Sequence, residues 1–109
     1  MKFILIMILS LPVVGQAAIV SWYGNYFHGR ITASGETDNQ WGYTCASNYH
    51  KIGTKLLVTN PANNKSVVVR VNDTGGFKKY GRTLDLSRGA FLKIASLNQG
   101  IVKVKIQVL

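Results

Sequence analysis

Only four side chains in this 109-residue chain carry a carboxylate, and two of them, Asp73 and Asp85, flank a single loop. The stretch Ser66 to Ser87 reads SVVVRVNDTGGFKKYGRTLDLS. A β-branched apolar run delivers Asp73 to a turn. Gly75, Gly76, Phe77, two lysines and Tyr80 follow before Asp85. A strand that carries an acid to a glycine-rich loop can aim a carboxylate into a groove, where it can act as general acid or base. The same residues also suit local structure, with Asp73 in an Asx-turn and Asp85 at a helix start. Glu36, the sole glutamate, follows Ser34 and Gly35 and is either a groove acid or a solvated turn residue.

The other candidate groups are less telling by themselves. His28 and His50 read as surface or packing histidines, and with Cys45 so distant in sequence no metal-ligand spacing appears. Cys45 reads as a small buried apolar residue rather than a nucleophile. Trp22, Tyr23, Tyr26 and Phe27 lie among Gly24, Gly29 and Gly35. Such rings either stack against the apolar face of a sugar or fill a small core. Trp22 suits the core and Tyr26 the groove.

The elements that must position these residues are short. Ala18–Tyr23, Lys55–Thr59, Ser66–Val71 and Thr83–Leu86 read as strands. NPANNK, residues 60–65, is the turn of a hairpin. TCAS, residues 44–47, reads as one helical turn within a loop-rich segment. Ser87 is a plausible N-cap for a helix from Arg88 to about Leu97, with Phe91, Ile94 and Ala95 on one face. IVKVKIQVL at the end alternates cleanly, placing Val102, Val104, Ile106 and Val108 on one side of a strand. Several short strands, one or two short helices and glycine-rich connections predict a mainly β fold. A small closed β-barrel fits better than a sandwich, because closure removes exposed edges.

The first residues stand apart from this pattern. Met1 and Lys2 form a positive start, Phe3 to Val14 is continuously apolar, and GQAA follows. That is the pattern of a secretory signal peptide over residues 1–17, cut after Ala17 and too short to span a membrane. A domain of residues 18–109 remains, expected to be periplasmic or secreted, with neither a membrane span nor a lipid anchor. A lone cysteine offers no internal disulfide, so the core must hold the fold. The net charge of +9 favours an acidic partner. The lysines are scattered rather than clustered, which argues against a nucleic-acid reader.

Four segments in order, SWYGNYFHGRITASGE, IGTKLLVTN, SVVVRVNDTGGF and GRTLDLSRGAF, resemble the rare lipoprotein A family over nearly the whole chain after the leader. The resemblance implies a six-stranded double-psi β-barrel, the architecture of expansins and barwin-like proteins. It also implies lytic transglycosylase action on peptidoglycan glycan strands. No cofactor and no metal are expected, and the domain is expected to be a monomer. By position it assigns the groove acids to Asp73 and Glu36, with Asp85 matching the acid of other double-psi enzymes. Tyr26, His28, Ser47, Arg70, Phe77 and Arg82 become candidates for holding the glycan. Ser47 stands where the family often has a histidine, and DTGGF replaces the usual DRGPF. A lytic transglycosylase needs one group that protonates the glycosidic oxygen and then takes the proton of the muramoyl C6 hydroxyl. It needs neither an activated water nor a nucleophilic carboxylate. The rival expectation is an expansin-like module that binds wall glycan without cleaving it.

Overall fold

The computed structural model describes residues 14–24, 28–75 and 83–109. Residues 1–13 of the expected leader over residues 1–17, together with Tyr26, Phe77 and Arg82, lie outside the described residues.

Six strands are described: β1 (Gln16–Tyr23), β2 (Thr44–Ser47), β3 (Lys55–Asn60), β4 (Lys65–Asp73), β5 (Leu84–Ser87) and β6 (Ile101–Val108). They close into a barrel in the order β1-β5-β2-β4-β3-β6. Two of the pairings, β1 with β5 and β2 with β4, are parallel, and the others are antiparallel. Alternation decides which side chains face the core. In β6, Val102, Val104 and Ile106 point inward while Lys103 and Lys105 point out. In β4, Val67, Val69 and Val71 point inward. With Leu56, Val58, Leu84 and Leu86 they form one contiguous core, each fully buried side chain contributing about 1.5–3 kcal/mol. Val108, expected on the buried face, is exposed, because β6 outruns the core at its last residues.

Helix α1 (Arg88–Ile94) packs Ala90, Phe91 and Ile94 into the core. Ser87 is its N-cap, with Oγ accepting from the Ala90 N–H at 3.2 Å. The helix stops earlier than the expected Leu97. Side-chain amides of Asn60, the last residue of β3, and Asn63, in the β3–β4 connection, donate to the Ile94 carbonyl at 2.8 and 3.0 Å. They satisfy a carbonyl that the next turn of helix would have used. Ser96 then caps a separate 3-10 turn, Leu97–Gln99.

TCAS is a strand rather than a helical turn. Four residues are too few to display a period. What fixes them is pairing on both sides, parallel to β4 and antiparallel to β5.

Candidate functional site

The outward face of β1, β5, β2 and β4 carries the site. Ala46 in β2 pairs with Asp85 on one side and Asp73 on the other, and Asp85 pairs in turn with Ser21. Cross-strand partners share a face, so Ser21, Asp85, Ala46 and Asp73 make one row across four strands. A bulge makes this possible. Cys45 pairs with Val71 but Ala46 pairs with Asp73, so Asn72 is the extra residue. Bulges re-aim side chains in this way, and here the bulge sets Asp73 opposite Ala46. A second row, two residues along, holds Tyr23, Ser87, Thr44 and Arg70. Tyr23 Oη and Thr44 Oγ1 are 3.3 Å apart in a hydrogen bond.

The acids of the first row are held differently. Asp73 is half-buried, and its Oδ1 accepts from the Thr74 and Ala33 N–H groups at 2.9 and 3.1 Å. The Thr74 contact is to the next residue rather than to the residue two on, so it is not the expected Asx-turn. Asp85 Oδ1 accepts from the Ser21 hydroxyl at 2.8 Å. The helix cap is Ser87, so the structure leaves Asp85 in the surface row.

A small hairpin lies over the end of β4. Ile31 bridges to Thr37, the Asp38 N–H donates to the Arg30 carbonyl at 2.7 Å, and Gly35 turns the tip with φ +88°. The tip is tied down by the Ala33 N–H on Asp73 and by the Ser34 N–H on the Asn72 carbonyl, 3.0 Å. Glu36, on this hairpin, faces Arg70. Its Oε2 accepts from Nη2 at 3.0 Å, and its Oε1 lies 2.8 Å from Nη1 as an ion-pair contact without hydrogen-bond alignment. Hydrogen bonding from Arg70, then Asn72, holds the Glu36 carboxyl below its ordinary range.

Asp38, two residues on, is the opposite case and was not singled out from the sequence. It is 3% exposed, and Oδ2 is buried without a hydrogen-bond partner. Burial raises its pKa; His28 opposes this, while Asp73 and Glu36 add to it. The signal available was its count as one of four carboxylates. In the sequence Tyr23 reads only as an aromatic residue, yet its hydroxyl faces this cluster. Its pKa is raised by burial, against the Thr44 hydrogen bond, with Asp38 and Asp85 adding to the rise.

Of the remaining candidates, His28 is exposed beside the hairpin, and its Nδ1 accepts from the Gln40 N–H at 3.2 Å. Ser47 is not brought to the row. It is buried, and its Oγ accepts from the Tyr49 and His50 N–H groups, both at 3.1 Å. Cys45 is fully buried in the core, its thiol pushed up to about 12 chiefly by burial. Among the described residues, no group of three or more His, Cys, Asp or Glu side chains is arranged to hold a metal.

Comparison with known proteins places this geometry. Residues 15–106 match the family model described as lytic transglycolase, DPBB_1. The chain is 45% identical over 93 residues to the probable endolytic peptidoglycan transglycosylase RlpA of Synechocystis, covering 85% of this chain and 29% of that protein. It is also 45% identical over 98 residues to the endolytic peptidoglycan transglycosylase RlpA of Campylobacter jejuni, covering 88% and 35%. The chain thus spans about a third of the length of these relatives. Among solved structures, a Clavibacter michiganensis expansin superposes with a TM-score of 0.67 at 24% identity, covering 85% of this chain and 49% of that one. A Streptomyces papain inhibitor superposes with a TM-score of 0.64 at 23% identity, covering 85% and 96%. These two likenesses concern the barrel alone. The six-stranded closed barrel is a double-psi barrel.

Proposed function

Because the chain belongs to the lytic transglycolase family, alongside the RlpA proteins, we propose that it cleaves peptidoglycan glycan strands between N-acetylmuramic acid and N-acetylglucosamine. The observation that carries this reading is the row in which Asp73 and Asp85 flank Ala46 on the outer face of the barrel. The glycan lies along this row. Asp73 protonates the glycosidic oxygen as its bond to C1 breaks. The resulting carboxylate then takes the proton of the muramoyl C6 hydroxyl as that oxygen bonds to C1. The product is a 1,6-anhydro end; no water is consumed and Asp73 regains its proton. The Ala33 and Thr74 N–H groups fix the Asp73 carboxyl. Asp85, oriented by Ser21, sits across Ala46 where its charge stabilises the oxocarbenium-like state.

Glu36 takes a positioning role instead of donating the proton. Its pairing with Arg70 keeps it ionised and pins the hairpin over the row. The setting is periplasmic or extracellular. A leader cut after Ala17 leaves Ala18–Tyr23 of β1 paired with β6 and β5.

Digestion of purified peptide-free glycan strands, read by mass spectrometry, tests the reaction. Fragments with 1,6-anhydro-muramoyl ends are expected, and free reducing ends would indicate a hydrolase instead. A second reading, a wall-binding module without chemistry, draws on the burial of Ser47 at the place of the family's histidine. It predicts retention on insoluble wall with no new ends of either kind.

A further inference from the structure

Beside the start of α1, the segment 40–43 presents two large rings to solvent. Trp41 is 53% exposed and Tyr43 45% exposed. Neither ring is loose surface. The Gln40 carbonyl accepts from the Gly89 N–H at 2.8 Å, and the Gly42 carbonyl accepts from the Ser87 hydroxyl. The Tyr43 carbonyl accepts from the Arg70 N–H at 3.2 Å. Gly89 lies so close to the Trp41 backbone that an added Cβ would sit 2.5 Å from the Trp41 carbonyl oxygen. The segment is therefore clamped onto the start of α1. A cation lies over each ring. The Arg88 guanidinium lies 4.9 Å from the Trp41 ring centre, and the Lys93 ammonium 5.8 Å from the Tyr43 ring centre. Arg88 also donates to Gln40 Oε1 at 3.5 Å and lies 5.9 Å from the Trp22 ring centre.

We propose that Trp41, Tyr43, Arg88 and Lys93 form a second glycan-binding platform that engages a carboxylate-bearing stretch of the same strand beyond the acid row. Rigid aromatic faces stack on the apolar faces of pyranose rings at low entropic cost, and flanking cations select a strand that carries carboxylates. The platform borders the second row, since the Gly42 and Tyr43 carbonyls accept from Ser87 and Arg70 of that row. One strand can therefore engage both. The inference rests on the proposed glycan substrate, and binding can be measured apart from cleavage.

The probe is purified peptide-free glycan strand, whose muramic acid residues carry free lactyl carboxylates. Combining Trp41→Ala with Tyr43→Ala is expected to raise Kd about tenfold, or roughly 1.4 kcal/mol, within the range of two lost aromatic contacts. Turnover of a short tetrasaccharide should stay within about twofold of the wild type, since the loss is of remote binding. Lys93→Gln, a change at an exposed helix position, should weaken binding about twofold to threefold and flatten its salt dependence. Wild-type affinity in a folded double variant would overturn the platform. Undiminished binding to strands whose carboxylates have been amidated would overturn the charge selection. Equal retention of wild type and double variant on polyglutamate and on glycan alike would reduce the surface to a general anion binder. If the wild type makes no anhydro ends but binds through Trp41 and Tyr43, the reaction fails and the platform stands.

Discussion

Strand β6 runs for eight residues, alternates cleanly along most of its length and pairs antiparallel on both sides. Strand β2 runs for four, pairs parallel on one side and antiparallel on the other, and faces a bulge. The wall around β6 presents Lys103 and Lys105 outward over a regular core. The wall around β2 presents the carboxylates, a buried unsatisfied oxygen and a clamped hairpin. Regular pairing spreads stability over many equivalent contacts, whereas irregular pairing aims particular side chains. The barrel is thus divided into a scaffold side and a working side.

The largest effect belongs to the working side. Asp73→Asn should lower the release of anhydro ends by about 10²–10⁴-fold while the thermal midpoint moves little. If Asp85→Asn proves the more damaging of the two, the acid is Asp85 and the roles across Ala46 are exchanged. Val104→Ala on the scaffold side should do the reverse. Removing two buried carbons costs about 2 kcal/mol of stability through lost transfer energy and a cavity, and turnover per folded molecule is unchanged. A Val104 variant with impaired turnover at full folding would show that the two sides are coupled.

Legibility in the sequence divides along the same line. β6, β4, the β3–β4 hairpin and the Ser87 cap could be read because period-two alternation, asparagine-rich turns and cap residues are local signals. β2 could not, because its four residues take their conformation from two neighbours distant in sequence. Asp73 and Asp85 stood out as acids at the edges of one loop. That they share a row depends on the bulge at Asn72, which no local pattern announces. Asp38 went unnoticed because nothing around it looks buried. Its environment comes from a hairpin folding back over the end of β4.

The hairpin provides a subtler comparison, between two acids two residues apart. Glu36 has its pKa lowered in the fold. It therefore contributes stability above the ordinary glutamate value of 4.5, and loses it as pH falls through the lower folded value. Asp38 has its pKa raised. Its cost to the fold is absent below the ordinary aspartate value of 3.8 and grows as pH rises through the higher folded value. Asp38→Asn should therefore gain on the wild type in thermal midpoint as pH is raised from the acid end toward neutrality. Glu36→Gln should fall behind over the same range, by no more than about 1 kcal/mol for a pair this exposed. Parallel curves for the two variants would remove the distinction drawn between them.

The smallest effect is expected where the chain looks most conspicuously charged. Lys103 and Lys105 sit on the outer face of β6, paired across strands with Ile19 and Ala17. Replacing both with glutamine should change stability by less than about 0.5 kcal/mol, as at ordinary surface positions. Tetrasaccharide turnover should be unchanged, because these side chains lie on the far wall from the acid row. Retention on insoluble wall at low salt should fall slightly, with the difference vanishing at high salt, as screening dictates for distant charges. Lys93→Gln should have the larger effect although it removes half as much charge, because that lysine lies beside an exposed ring. If the β6 pair matters more, binding follows net charge and the scaffold wall shares in the work.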